Sequence, residues 1–202
     1  MREGLRMLLA GELDIVDTVE DGRALLGAAE RLQPDVILLD ISMPLLNGLD
    51  AARQLAKASP TSKLVFVTMH ADPAYVRQAF RAGASGYVVK SSASSHLTEA
   101  IAEVLAGRRY ISPIPGVELA EVLSGEPQES GEGELSDALT PRQREILQLV
   151  AEGRTAREIA VVLGISRKTV EFHKASIMRL LRLRTTAELT RYAMAHGIIA
   201  SA

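Results

Sequence analysis

The sequence predicts two units in series: a doubly wound α/β domain on a parallel sheet, then an all-α unit of four short helices. Three observations carry that prediction. Short, almost wholly apolar runs such as DVILLD, KLVFVT and GYVVK alternate with helical patterns, as strands covered on both faces do. The stretch LSGEPQESGEGELSDAL then offers Gly, Ser and Glu with little to bury, which is linker composition. Beyond it the strand pattern stops and capping residues recur at helical intervals.

Taken in order, REGLRMLLAG sets Leu5, Leu8 and Leu9 on one helical face, with Gly11 as a stop. DIVDTV (14–19) is short and β-branched, so it reads as a strand. GRALLGAAERLQ is helical and closes at Pro34. There follow a strand at 35–40, a helix from Leu49 to Ala58, a strand at 63–68, a helix around 73–82, a strand at 86–90 and a helix from Ser95 to Ala106. In the second unit Thr140, Thr155 and Thr185 each precede Gln or Glu by three residues. That is the capping box, strengthened at the first by Pro141. Gly153 and Gly164 stand where helices end. The helices expected are 141–152, 155–163, 167–181 and 186–196. The domain limits expected are therefore 1–117 for the sheet domain, 118–139 for an acidic flexible linker and 140–202 for the helical unit.

The chain has 202 residues, 47% of them apolar, enough to bury a core in each unit. It has no cysteine, which excludes disulfides and thiolate metal sites and fits a reducing compartment. No apolar run approaches membrane-spanning length, and the start lacks a signal-peptide pattern, so a cytoplasmic protein with no membrane partner is expected. The net charge of −2 conceals an asymmetry. Residues 118–139 hold seven acids and no base, whereas 140–202 hold 11 bases against five acids. A basic block behind an acidic connector suits a polyanionic partner.

Chemistry is expected at one edge of the sheet, because ligands of open parallel sheets bind beyond the carboxyl ends of the strands. Three successive strands end there in Asp40, Thr68 and Lys90. A carboxylate can attack phosphorus, a hydroxyl can donate to a phosphoryl oxygen, and an ammonium can offset the charge. Any one alone is an ordinary solvated strand end; the three together point to phosphoryl chemistry.

DVILLDISMPLLNGLDAARQL, VFVTMHAD and AGASGYVVKS resemble the receiver domain of two-component response regulators. The resemblance implies a flavodoxin-like fold in which Asp40 accepts a phosphoryl group from a sensor histidine kinase, with Mg²⁺ assisting. By position, Asp40 and the backbone carbonyl of Ser42 would hold the metal, and Thr68 and Lys90 the phosphoryl oxygens. Tyr87 matches the aromatic residue that changes rotamer together with Thr68. The family often has a cis bond after its lysine, where this chain has Ser91. His70 is given no role. Receivers also begin with an apolar strand whose tip carries an acidic pair for Mg²⁺. This chain opens at what would be the next helix, so the receiver is expected to be N-terminally truncated. Either the reading frame starts upstream, or Mg²⁺ binding and phosphorylation are weak or absent.

In the second unit, TAREIAVVLGISRKTVEFHKASIMRLL reads helix, tight turn, helix. Ile159, Val162 and Leu163 face inward from the first helix, and Val170, Ile177 and Leu181 from the second. Such a second helix can enter a DNA major groove. The longer stretch LTPRQREILQLVAEGRTAREIAVVLGISRKTVEFHKASIMRLL is similar to the LuxR-type helix-turn-helix of NarL/FixJ regulators. The DNA-contacting set expected is Ser166, Arg167, Lys168, Thr169, Glu171, Phe172, Lys174 and Ala175. Arg167, Lys168 and Lys174 would serve mainly phosphates; Glu171, Phe172 and Ala175 would face base edges. His173 is a packing residue or phosphate contact. The family's last helix also dimerises, which implies a homodimer through Leu189, Tyr192, Ala193 and His196.

The function expected is a DNA-binding transcriptional regulator switched by phosphorylation of Asp40, not an enzyme on external substrates. One alternative is a regulator that binds double-stranded DNA without phosphorylation, its receiver a degenerate platform. Another is an aspartate-nucleophile phosphatase, against which stands Ser42 at the place where those enzymes carry a second aspartate.

Overall fold

The computed structural model describes residues 2–9, 11–124 and 139–199. The chain divides into two compact units, the main division falling after Pro127.

In the first unit the described sheet has four parallel strands in sequential order: β1 (Val36–Leu39), β2 (Lys63–Thr68), β3 (Gly86–Val89) and β4 (Tyr110–Ile111). Helices α3 (Gly48–Ala58), α4 (Pro73–Arg81) and α5 (Ala93–Leu105) connect them, preceded by α1 (Arg2–Leu9) and α2 (Gly22–Leu32). The period of two along each strand sorts the core into two layers. Leu64, Phe66, Tyr87 and Val89 pack with Leu55, Val76 and Ala79 from α3 and α4. Val65, Val67 and Val88 pack with Leu9 of α1 and Leu97, Ile101 and Val104 of α5. β2 and β3 are thus buried on both faces, which is why their sequences show no polar alternation.

Three expectations are corrected. Residues 14–19 form no strand; Leu13 makes an isolated bridge, and β1 is an edge strand in the described sheet. A strand exists only through its neighbour's hydrogen-bond ladder, which local β-branched composition cannot supply. Instead Asp17 pairs with Arg31 at 3.1 Å, and Ile15 leans on the core. Secondly, β4 had no strand signal, being two residues long; it forms because Tyr110 N donates to Ser85 O and Ser112 N to Tyr87 O. Thirdly, the acidic stretch opens as a helix, α6 (Leu119–Ser124), with Leu119 and Val122 packed on the α3–α4 layer. Residues 125–138 of the expected linker lie outside the described residues. No described peptide bond is cis, and Lys90–Ser92 turns directly into a 3₁₀ helix ahead of α5.

The second unit is α7 (Pro141–Ala151), α8 (Ala156–Leu163), α9 (Arg167–Leu180) and α10 (Thr186–Ala195). Its capping boxes form as read. Thr140, Thr155 and Thr185 accept from the backbone N–H of Gln143, Glu158 and Glu188, whose side chains accept in return. Gly164 ends α8 at φ +63°, a left-handed conformation that costs glycine little. Ser166 then caps α9 by accepting from Thr169 N at 3.1 Å. The core is Ile146, Leu149, Ile159, Leu163, Val170, Ile177, Leu189, Ala193 and Ile198.

Candidate functional site

Asp40 follows the last residue of β1, Thr68 ends β2, and Lys90 follows β3, so parallel pairing carries all three to one sheet edge. Lys90 Nζ donates to Asp40 Oδ2 at 2.5 Å, with the side chains only 14% and 24% exposed. A pair shielded to this degree is screened less than a surface ion pair. The other carboxylate oxygen, Oδ1, accepts from Ser42 N at 3.3 Å. Thr68 is fully buried, and its Oγ1 accepts from His70 N at 3.4 Å.

Gly48 sets the shape of the loop after Asp40. A Cβ there would stand 2.0 Å from Asp40 O, and Gly48 N donates to Ile41 O at 2.8 Å. The chain therefore folds back against the backbone of the acid itself.

Tyr87 lies inside, its ring 6.2 Å from that of Phe66 and its hydroxyl donating to His70 O at 2.8 Å. Burial, and then the charge of Asp40, push its phenol well above the usual tyrosine range. His70 is the residue that sequence reasoning missed. Its Nε2 is 3.1 Å from Ser42 Oγ, and its ring lies 4.3 Å from that of Tyr75. The sole signal was its place two residues beyond Thr68, which no general rule marks.

Mg²⁺ requires near-octahedral oxygen ligation. Asp40 is the one carboxylate at the strand tips in the pairings above, and it is engaged by Lys90. Among the described residues no three His, Cys, Asp or Glu side chains gather as a metal site. Asp40 and a Ser42 carbonyl do not by themselves make a fit for the ion.

In the helical unit, α9 presents its N-terminal half outward. Ser166, Arg167, Lys168, Glu171 and Ala175 are exposed, and Phe172 is 70% exposed. Thr169 and Lys174 are half-buried. Arg167 donates to Glu171 at 2.8 Å one turn on, and Lys174 Nζ donates to Thr186 Oγ1 at 2.9 Å. Six of the eight expected contact residues thus face outward, with Thr169 and Lys174 partly covered. His173 is half-buried beside Phe172, in keeping with a packing role. The expected dimer face needs correction. Leu189 and Ala193 are buried in the unit's own core, because α10 packs that side on α7. Tyr192 and His196 remain half-exposed, their rings stacked 3.8 Å apart.

A strand-tip acid, hydroxyl and ammonium followed by a basic helix-turn-helix define a class, and comparison with known proteins agrees. The response regulator receiver domain family matches residues 1–102, and the bacterial regulatory proteins of the luxR family match 137–193. The chain belongs to the two-component response regulators. Within them it is of the NarL/FixJ type, a receiver joined to a LuxR-type helix-turn-helix. It is 36% identical to the transcriptional regulatory protein MctR of Rhizobium johnstonii, over 98% of this chain and 89% of that protein. It is 35% identical to the oxygen regulatory protein NreC of Staphylococcus carnosus, over 96% and 92%. Among solved structures it resembles the RcsB response regulator of Salmonella typhimurium (TM-score 0.60, 26% identity, 96% and 92% covered). It also resembles RcsB in a DNA complex (TM-score 0.53, 26% identity, 96% and 92% covered). No described helix is long and apolar enough to cross a membrane.

Proposed function

We propose that this chain binds double-stranded DNA as a cytoplasmic transcription regulator whose state is set by a phosphoryl group on Asp40, supplied by a sensor histidine kinase. The observation that carries the proposal is the convergence of Asp40, Thr68 and Lys90 at adjacent strand tips, with Lys90 already paired to the acid. In the transfer, an Asp40 oxygen attacks phosphorus and an O–P bond forms. The P–N bond to the kinase imidazole breaks, and its electron pair stays on that nitrogen. Lys90 then moves from carboxylate to phosphoryl oxygen, offsetting the added charge. The Thr68 hydroxyl turns to donate to another oxygen, which withdraws the acceptor of His70 N and favours a new Tyr87 rotamer. Transferring a phosphoryl group to itself does not make the protein an enzyme on external substrates.

On DNA, Arg167, Lys168 and Lys174 would neutralise phosphates while Glu171, Phe172 and Ala175 meet base edges. Two copies would set two recognition helices on two half-sites; RcsB, which the chain resembles, is seen as dimers bound to DNA. Half-exposed Tyr192 and His196, with exposed Arg191 and Ala195, would offer such a contact at the C-terminal end of α10.

Acetyl phosphate, followed by intact-mass measurement, tests the switch. One phosphoryl adduct is expected on the full chain and none on Asp40→Asn. The short donor set favours one rival, DNA binding without phosphorylation. No adduct, together with DNA affinity indifferent to acetyl phosphate, would establish that rival.

A further inference from the structure

α6 has a place in the fold that neither the phosphoryl site nor the DNA-reading helix explains. After β4 the chain returns over α4. Ile114 is buried in the same cluster as Val76, Ala79 and Phe80 of α4, and Val117, Leu119 and Val122 pack partly buried against it. Val117 N donates to Ile114 O and Val122 N to Glu118 O, both at 3.1 Å, closing the turn and the helix. Arg109, just before β4, sets its guanidinium 5.8 Å over the Phe80 ring. A six-residue helix has no stability of its own in water. Its helical state therefore depends on the α4 surface beneath it.

α4 in turn hangs from the phosphoryl site. Residues 69–72 join Thr68 to α4, and they are tied by His70 N to Thr68 Oγ1 and by Tyr87 OH to His70 O. Asp72 caps α4 by accepting from Ala74 N at 2.7 Å, and the ring of Tyr75 in its first turn lies tilted against that of His70. A movement of Thr68 and Tyr87 thus displaces the start of the helix on which α6 rests. α6 is also the first element of the acidic stretch that joins the two units.

We infer that α6 is a strap: docked on α4 in the resting receiver, and released when the Thr68–Tyr87–His70 linkage rearranges. Release frees residues 118–124 from the receiver surface. The inference deepens the proposed function and rests on Asp40 phosphorylation only for its natural trigger. The coupling itself belongs to the resting fold.

Amide hydrogen exchange on the full chain tests it, read at Val122, whose amide bonds to Glu118. Tyr87→Phe removes the tether to His70 without phosphate. Val122 exchange is expected to quicken about tenfold, in the range of ordinary coupling between sites, while β2 amides keep their protection. Leu119→Ser with Val122→Ser is expected to release the strap outright and make exchange at 118–124 insensitive to Tyr87→Phe. Unchanged Val122 exchange in Tyr87→Phe, with β2 intact, overturns the strap. Acetyl phosphate forms a separate arm. An adduct on Asp40 without faster Val122 exchange also overturns the strap, whereas faster exchange with the adduct supports it. Absence of an adduct defeats the phosphorylation reading, and the Tyr87→Phe result still decides the strap.

Discussion

Gly48 shows at the scale of one residue how the fold serves the site. Because a Cβ would stand 2.0 Å from Asp40 O, Gly48→Ala must displace the loop that presents the acid. Loss of about 1–3 kcal/mol is expected in urea unfolding, the usual cost of overpacking, with slower phosphoryl uptake at Asp40. Gly27 is the contrast: it lies exposed in α2 with nothing within 4 Å of a Cβ. Gly27→Ala is expected to stabilise by about 0.5–1 kcal/mol through helix propensity. Equal effects of the two substitutions would refute the close-approach argument. The acid, hydroxyl and ammonium were legible because each sits at the end of an apolar run, where the register of a parallel sheet places it. His70 was not, because its contacts with Ser42 and Tyr87 arise from chain distant in sequence.

Among elements, those legible from sequence are those whose stability is local. The three capping boxes of the helical unit satisfy orphan N–H groups within four residues, so their letters suffice to place the helix starts. Residues 14–19 carry an equally suggestive pattern, yet a strand's hydrogen bonds are supplied from elsewhere, and the pattern alone does not make one. α6 was hidden for the opposite reason. Acidic composition masked Leu119 and Val122, whose packing on the α3–α4 layer no local pattern announces. The boxes also predict an acid response. Glu158 is held below the ordinary carboxylate value of 4.5, chiefly by the backbone N–H of Thr155, and Glu188 likewise by those of Arg184 and Thr185. A carboxylate whose folded pKa lies below its unfolded one stabilises fully above the unfolded value. That stabilisation fades as pH falls through the folded one. The helical unit should therefore lose stability below about pH 4.5. Glu158→Gln with Glu188→Gln should flatten that loss, measured by thermal unfolding between pH 3 and 7 (about the span over which carboxylates titrate). An acid limb as steep as in the parent would show that the boxes do not set it.

Over the whole molecule, charge is distributed by unit. Of 23 bases, 11 fall in residues 140–202 against five acids, and seven acids with no base occupy 118–139. Affinity for a polyanion then rests on counterion release, with log K falling by about 0.9 per log unit of salt for each phosphate neutralised. Lys168 is exposed at the start of α9, so Lys168→Ala should shallow the salt slope by about that amount and weaken all DNA sequences alike. Arg167 differs, because it is bonded to Glu171, the acid proposed to meet a base edge. Arg167→Ala should shallow the slope similarly but also free Glu171, changing the preferred sequence. Glu171→Gln removes a charge that repels phosphate and exchanges a carboxylate acceptor for an amide. It should leave the phosphate count, and hence the slope, nearly constant while shifting preference away from cytosine. Fluorescence anisotropy of the full chain, titrated with randomised and selected duplexes across a salt series, separates the two kinds of contact. Should Lys168→Ala alter preference and Glu171→Gln alter only the slope, α9 would lie in the groove in an orientation opposite to the one its exposed face implies.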